Sequence, residues 1–91
     1  SEIKLEDVKE YLRIDDTSED NHLKNSMAAA TAYILGETGL TAEQADTHED
    51  LYIAYMALMQ DLYDNRAMQI DKNTVSIVVE SVLARHRINL V

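Results

Sequence analysis

No proline interrupts this chain, and glycine stands only at Gly36 and Gly39. That scarcity constrains the fold more than any motif does. Tight hairpins need residues that accept positive φ, and an all-β chain needs several of them. A sequence without such punctuation favours uninterrupted helices. The reading is an all-α bundle of about four helices, over residues 4–14, 18–38, 47–66 and 74–86, in a single domain spanning 1–91. A chain of this length buries only about 60–65% of its unfolded surface, so one copy has modest stability and gains from a partner.

Apolar periodicity locates the helices. Leu5, Val8 and Leu12 fall at i, i+3, i+7 among Glu6, Lys9, Glu10 and Arg13, which makes a short amphipathic helix. Too short to hold alone in water, it must dock its stripe on the rest of the chain. The run Asp15 to Asp20 stops it with residues that prefer turns and caps. Asp16 with Glu19, or Thr17 with Asp20, has the spacing of a capping box for the next helix. There Leu23, Met27, Ala30 and Ile34 form one stripe, while Ala28, Ala29 and Ala32 raise helix propensity and permit close approach. Gly39 is placed to end this helix in the left-handed conformation. Residues 40–47 read as an acidic connector, with Asp46 or Thr47 capping the third helix.

From Leu51 to Met59 almost no helix face is polar. Leu51, Tyr55, Leu58 and Leu62 make one stripe, and Tyr52, Met56, Met59 and Tyr63 make another. A helix apolar on most sides sits among several neighbours. Two such stripes in so small a fold assign one to the core and the other to a second subunit. The plainer alternative packs both inside one chain, with Met filling gaps and Tyr bringing a polar tip that needs a partner. Further on, Val75, Val78, Val79, Val82 and Leu83 keep helical spacing, with Ile77 off the stripe. The period outweighs their β-branched preference for strand. Ile88, Leu90 and Val91 form an apolar tail, either extended or ordered by a partner.

The formal net charge of −9 is concentrated. Eight acids and three bases lie in residues 1–20, and five acids with no base lie in 37–50. Acids in a first turn complement the helix dipole, which is the structural explanation. The functional one is a surface that repels phosphate or meets a basic partner. Either way a DNA-binding role is disfavoured, because phosphate contacts demand clustered Lys and Arg. The only basic cluster is Arg85-His86-Arg87. The longest apolar run, 51–59, is shorter than the roughly 20 residues of a membrane span. No basic-then-apolar leader opens the chain, so the expectation is a soluble, untargeted protein.

Chemistry is equally sparse. No cysteine is present, which removes disulfides, thiolate metal sites and a Cys nucleophile. Counted from Asp15 as a calcium loop, the sixth and twelfth positions hold Asp20 and Ser26 where Gly and Glu are needed. His22, His48 and His86 are scattered, and none pairs at zinc-ligand spacing. Two glycines build no phosphate cradle, and no nucleophile elbow is visible. The expectation is a non-enzyme without catalytic residues, cofactor or metal.

The order of elements resembles a known family. "LEDVKEYLRID" from Leu5 to Asp15, the acidic "DTSED", then "AAATAYILGETG" and "YDNRA" are similar to the small head-tail connector proteins of tailed phages and prophages. The pattern L-x-x-V-K-x-Y-L-R-I-D is followed there by Y-I-x-x-x-T-G, here Tyr33 to Gly39, and by L-Y-x-N-R, here Leu62 to Arg66. The likeness covers about residues 3–68. It departs where the family often carries a proline before the last helix and an aromatic-Arg ending. Asn73-Thr74 and His86-Arg87 stand there instead, and the connector after Gly39 is unusually acidic.

The resemblance implies a small helical subunit without catalysis or cofactor. Copies assemble into a ring, commonly dodecameric, beneath the portal after DNA packaging. The ring offers a platform to tail-joining proteins, in a virion assembled in the host cytoplasm. It also marks Arg13, Ile14 and Asp15, with Tyr63, Asp64, Asn65 and Arg66, as hinges or subunit contacts. Arg66 would pair with Asp61, Asp64 or a neighbour's Asp15, or close a helix-end cluster within its own chain. Tyr52, Met56, Met59 and Tyr63 join them as candidate contacts or structural residues. Glu43, Asp46, Glu49 and Asp50 are candidates to line a lumen, where DNA passes without sequence-specific binding. The competing reading is an acidic, antitoxin-like regulator that engages a basic protein.

Overall fold

The computed structural model describes residues 3–65 and 75–87. Five helices run in order: α1 (Leu5–Leu12), α2 (Asp20–Thr38), α3 (Ala42–Ala45), α4 (Glu49–Asn65) and α5 (Ile77–Arg87), with no strand among the described residues. The fold class is all-α, as the scarcity of glycine and proline requires. The expected tail at 88–91 and the expected start at Asn73 or Thr74 lie outside the described residues.

α4 is the hub, packed against α1, α2 and α5. It buries Leu51, Ala54, Tyr55, Met56, Leu58, Met59 and Leu62, so both sequence stripes contribute to the protomer core. α1 adds Val8 and Leu12, α2 adds Leu23, Ala30 and Ile34, and α5 adds Val79, Val82 and Leu83. Each fully buried side chain of this size contributes about 1.5–3 kcal/mol relative to exposure, which explains how short helices hold together. α4 and α5 run antiparallel. Near the end of α4, Asp61 accepts the Ser76 backbone N–H at 3.2 Å, while near its start Asp50 meets His86 at 2.9 Å.

Several local expectations need correction. No capping box opens α2: its N-cap Glu19 makes no side-chain cap bond, and Asp20 is drawn instead to Lys9 of α1 at 2.8 Å. The acidic connector contains the single turn α3, capped reciprocally by Thr41 and Gln44. α4 begins at Glu49, after the bond from Leu51 N–H to the His48 carbonyl, and the Thr47 hydroxyl turns back to donate to the Gln44 carbonyl at 2.7 Å. Ser76 caps α5, its hydroxyl facing the Val79 N–H at 3.4 Å. The stripe of α5 is Val79, Val82, Leu83 and His86, and Val78 faces outward with Ile77. Gly39, at φ 73°, ends α2 as its sequence position indicates. Arg13 ends α1 in the same left-handed region, at φ 61°, where a non-glycine residue is strained.

Candidate functional site

With the core complete, large apolar side chains remain outside it. Tyr52 is 43% exposed, Ile53 59%, Ile77 81% and Val78 52%, and Tyr11 of α1 is exposed as well. The antiparallel pairing sorts four of them into two patches. Tyr52 and Ile53 lie at the start of α4, beside the end of α5. Ile77 and Val78 lie at the start of α5, beside the end of α4. The patches therefore sit toward opposite ends of the helix pair. Tyr52 and Ile53 also border an open groove of about 810 Å³, whose walls include Met27, Thr31 and Leu35 of α2 and Ala45 of α3.

The sequence-predicted residues divide. Tyr52 is exposed, as a contact residue must be, and Tyr63 is half-buried against the core. Met56 and Met59 are buried to completion in their own protomer, so they are structural residues and not surface contacts. The reason is that α4 has neighbours on three sides. Arg13 and Asp15 are exposed at the end of α1 and in the loop after it. Asn65 is exposed and donates to the Asp61 carbonyl at 2.8 Å, capping the end of α4 from within. Arg66 lies outside the described residues. Glu43, Asp46 and Glu49 are exposed around the α3–α4 corner.

Asp50 departs from that acidic set. Its carboxylate is half-buried, 2.9 Å from His86 Nε2 and 3.8 Å from Arg85 Nη1. Burial pushes this carboxyl up. The His86 hydrogen bond and charge, the Leu51 N–H and the His48 charge outweigh burial and hold it below the ordinary carboxylate range. Asp50 is an internal tie between α4 and α5.

A second polar tie closes the seam between α2 and α5. Arg87 donates to Glu80 Oε2 at 3.0 Å and also pairs with Glu37, while Tyr33 donates to Glu80 Oε1 at 3.1 Å. The Tyr33 phenol is pushed up to about 12, first by burial, then by its bond to Glu80 and by the charges of Glu80 and Glu37, against the opposing Arg87. The Glu80 bond raises Arg87 in turn, against a smaller effect of burial. Tyr55 reaches the Met27 carbonyl at 3.3 Å, and burial raises its phenol despite a bond to Thr31. Sequence reading does not single out Tyr33, Glu37, Glu80 and Arg87 as a group, because nothing in their spacing announces that two helices will meet there.

What remains is a closed helical protomer with two apolar patches at separate ends and an acidic corner. A sequence model for the phage gp6-like head-tail connector protein family matches residues 2–88. The chain belongs to that family. No significant match was found among curated proteins or among solved structures. Membership gives this connector protein a structural role joining phage head and tail components. Among the described residues, no helix of the connector is long and apolar enough to cross a membrane.

Proposed function

We propose that this connector is a virion protein whose copies form a ring between the portal at the capsid vertex and the tail, after DNA packaging. Residues 1–91 act in this reading as one connector domain. The observation that supports it is apolar surface left over at two distinct places, Tyr52 with Ile53 and Ile77 with Val78. Two different patches meeting copy after copy make a heterologous, head-to-tail contact, and such contacts close into rings when the rotation per subunit divides a full turn. A dodecamer is the expected closure. Glu43, Asp46 and Glu49 then line the channel, where like charge lets the DNA backbone slide without adhering. Asp50 is not counted with them, because its carboxylate is committed to His86 and Arg85.

Light scattering and negative-stain imaging across protein concentration, with and without the portal protein, test this reading. Rings in the free protein, or rings formed only on portal, support it. A chain that stays monomeric and leaves portal untouched at every concentration overturns it and favours the acidic regulator, whose partner would be rich in Lys and Arg. Rings with Glu43, Asp46 and Glu49 all on the outer wall would remove the channel assignment alone.

A further inference from the structure

The start of α4 and the last turn of α5 bring His86 to His48 and Asp50, from which sequence spacing keeps it apart. One nitrogen each from His48 and His86 and one oxygen from Asp50 all lie within 4.8 Å of one another. The two imidazole rings meet edge to face, with centroids 4.7 Å apart. His86 is buried against the core, while His48 and Asp50 are half-buried, and His48 lines the open groove. The set therefore has one anchored ligand, two adjustable ligands and an entry path from solvent.

We propose that His48, Asp50 and His86 form a binding site for a divalent first-row transition-metal ion, with zinc as the reference case. Two imidazoles and one carboxylate are the donor set such ions accept, leaving a fourth position for water. Metal–nitrogen bonds of about 2.0–2.1 Å put the ligand atoms of a tetrahedral site about 3.4 Å apart. Rotation of the half-buried His48 and Asp50 side chains would close the widest gap, with the buried His86 left in place. Arg85 is the opposing charge, 3.8 Å from Asp50, and its side chain, 70% exposed, would have to turn to solvent when the ion binds. The neighbouring Glu49 and Asp46 are exposed carboxylates that favour a cation at this corner. Bound there, the ion would fasten the end of α5 to the start of α4, next to the patch formed by Tyr52 and Ile53. The site is independent of whether rings form.

The test is calorimetric titration of the full chain, freed of metal by dialysis against chelator, with zinc, and visible spectroscopy with cobalt. The expected result is one ion per chain, a cobalt spectrum of low coordination number, and a melting temperature raised by zinc. His48→Ala keeps the buried anchor and the fold. It should weaken zinc by at least about tenfold and abolish both the cobalt signature and the thermal shift. His22→Ala should change none of these. Equal zinc affinity in His48→Ala and the unaltered chain, or no saturable binding up to submillimolar zinc, overturns the proposal. Circular dichroism of each variant without metal separates loss of a ligand from loss of the fold.

Discussion

The two sides of α4 are both apolar, yet they do different work. Inward, Met56, Leu58 and Met59 are sealed by α1, α2 and α5, and removing any of them leaves a void. Outward, Tyr52 and Ile53 contact water although they are as hydrophobic as their neighbours. Folding explains the first set and leaves the second unexplained. The difference teaches that apolar residues along one helix need not share one environment, and that burial in the protomer separates them where sequence cannot.

The largest expected effect lies on the inward side. Met59→Ala should cost about 2–5 kcal/mol, the loss of transfer free energy plus the cavity left in a close-packed core. Urea unfolding measures it as a lowered midpoint at unchanged slope. A cost below about 1 kcal/mol would mean that α4 is not held on three sides, and the contrast between its faces would fail.

The polar seam sharpens the comparison, because it too is internal to the protomer. Arg87→Ala should cost about 1 kcal/mol, since two half-buried carboxylates lose their shared cation, although Glu80 keeps its bond from Tyr33 and solvent screens both. The Tyr33 phenol carries the pH dependence. Its folded pKa of about 12 lies above the ordinary value of 10.0. Its contribution to stability is therefore fully present below about pH 10 and is lost as pH rises through about 12. Ultraviolet titration should show Tyr33 ionising late, alongside the buried Tyr55, and Tyr33→Phe should remove the Tyr33 step and reduce the alkaline loss of stability.

Much of the fold is legible in the chain, and the failures share a cause. Gly39 as a helix end, the centrality of α4 and the all-α class arise from local conformational preference and period. α3 is legible too, because Thr41 and Gln44 have capping-box spacing, but the acidic composition of 40–47 suggests a plain connector. Asp20 escapes its expected capping role because Lys9, eleven residues earlier, outcompetes the local cap. The phase of α5 is hidden because His86 completes its buried stripe, a place where a search for apolar residues does not look. His48, Asp50 and His86 come together only through the antiparallel pairing of α4 with α5, which no spacing rule encodes.

Gly36 offers a smaller effect on an outward surface. It sits inside α2, exposed, and a Cβ added there meets no atom within 4 Å. Gly36→Ala should stabilise the protomer by about 0.5–1 kcal/mol through reduced backbone entropy in the unfolded chain. A thermal melt measures it, and assembly should be unaffected, because the change adds one methyl on an exposed face of α2 outside the groove lining. Destabilisation instead would mean that something covers this side of α2 even in the free protein.

The smallest expected change in stability is the most informative. Ile53 is 59% exposed on α4, so Ile53→Asp removes little buried area and should alter unfolding free energy by no more than about 0.5 kcal/mol. The same substitution puts a charge at the centre of a patch proposed to meet another copy, where an unpaired carboxylate would have to be desolvated. Assembly, read by light scattering with and without portal, should therefore be lost while the melting curve stays in place. If Ile53→Asp instead unfolds the protomer, the outward face belongs to the core after all. If assembly proceeds unchanged, Tyr52 and Ile53 are not what the copies share, and the patch at Ile77 and Val78 must be tested alone. Only the combination of an intact fold and a lost assembly separates the two uses of apolar surface on one helix.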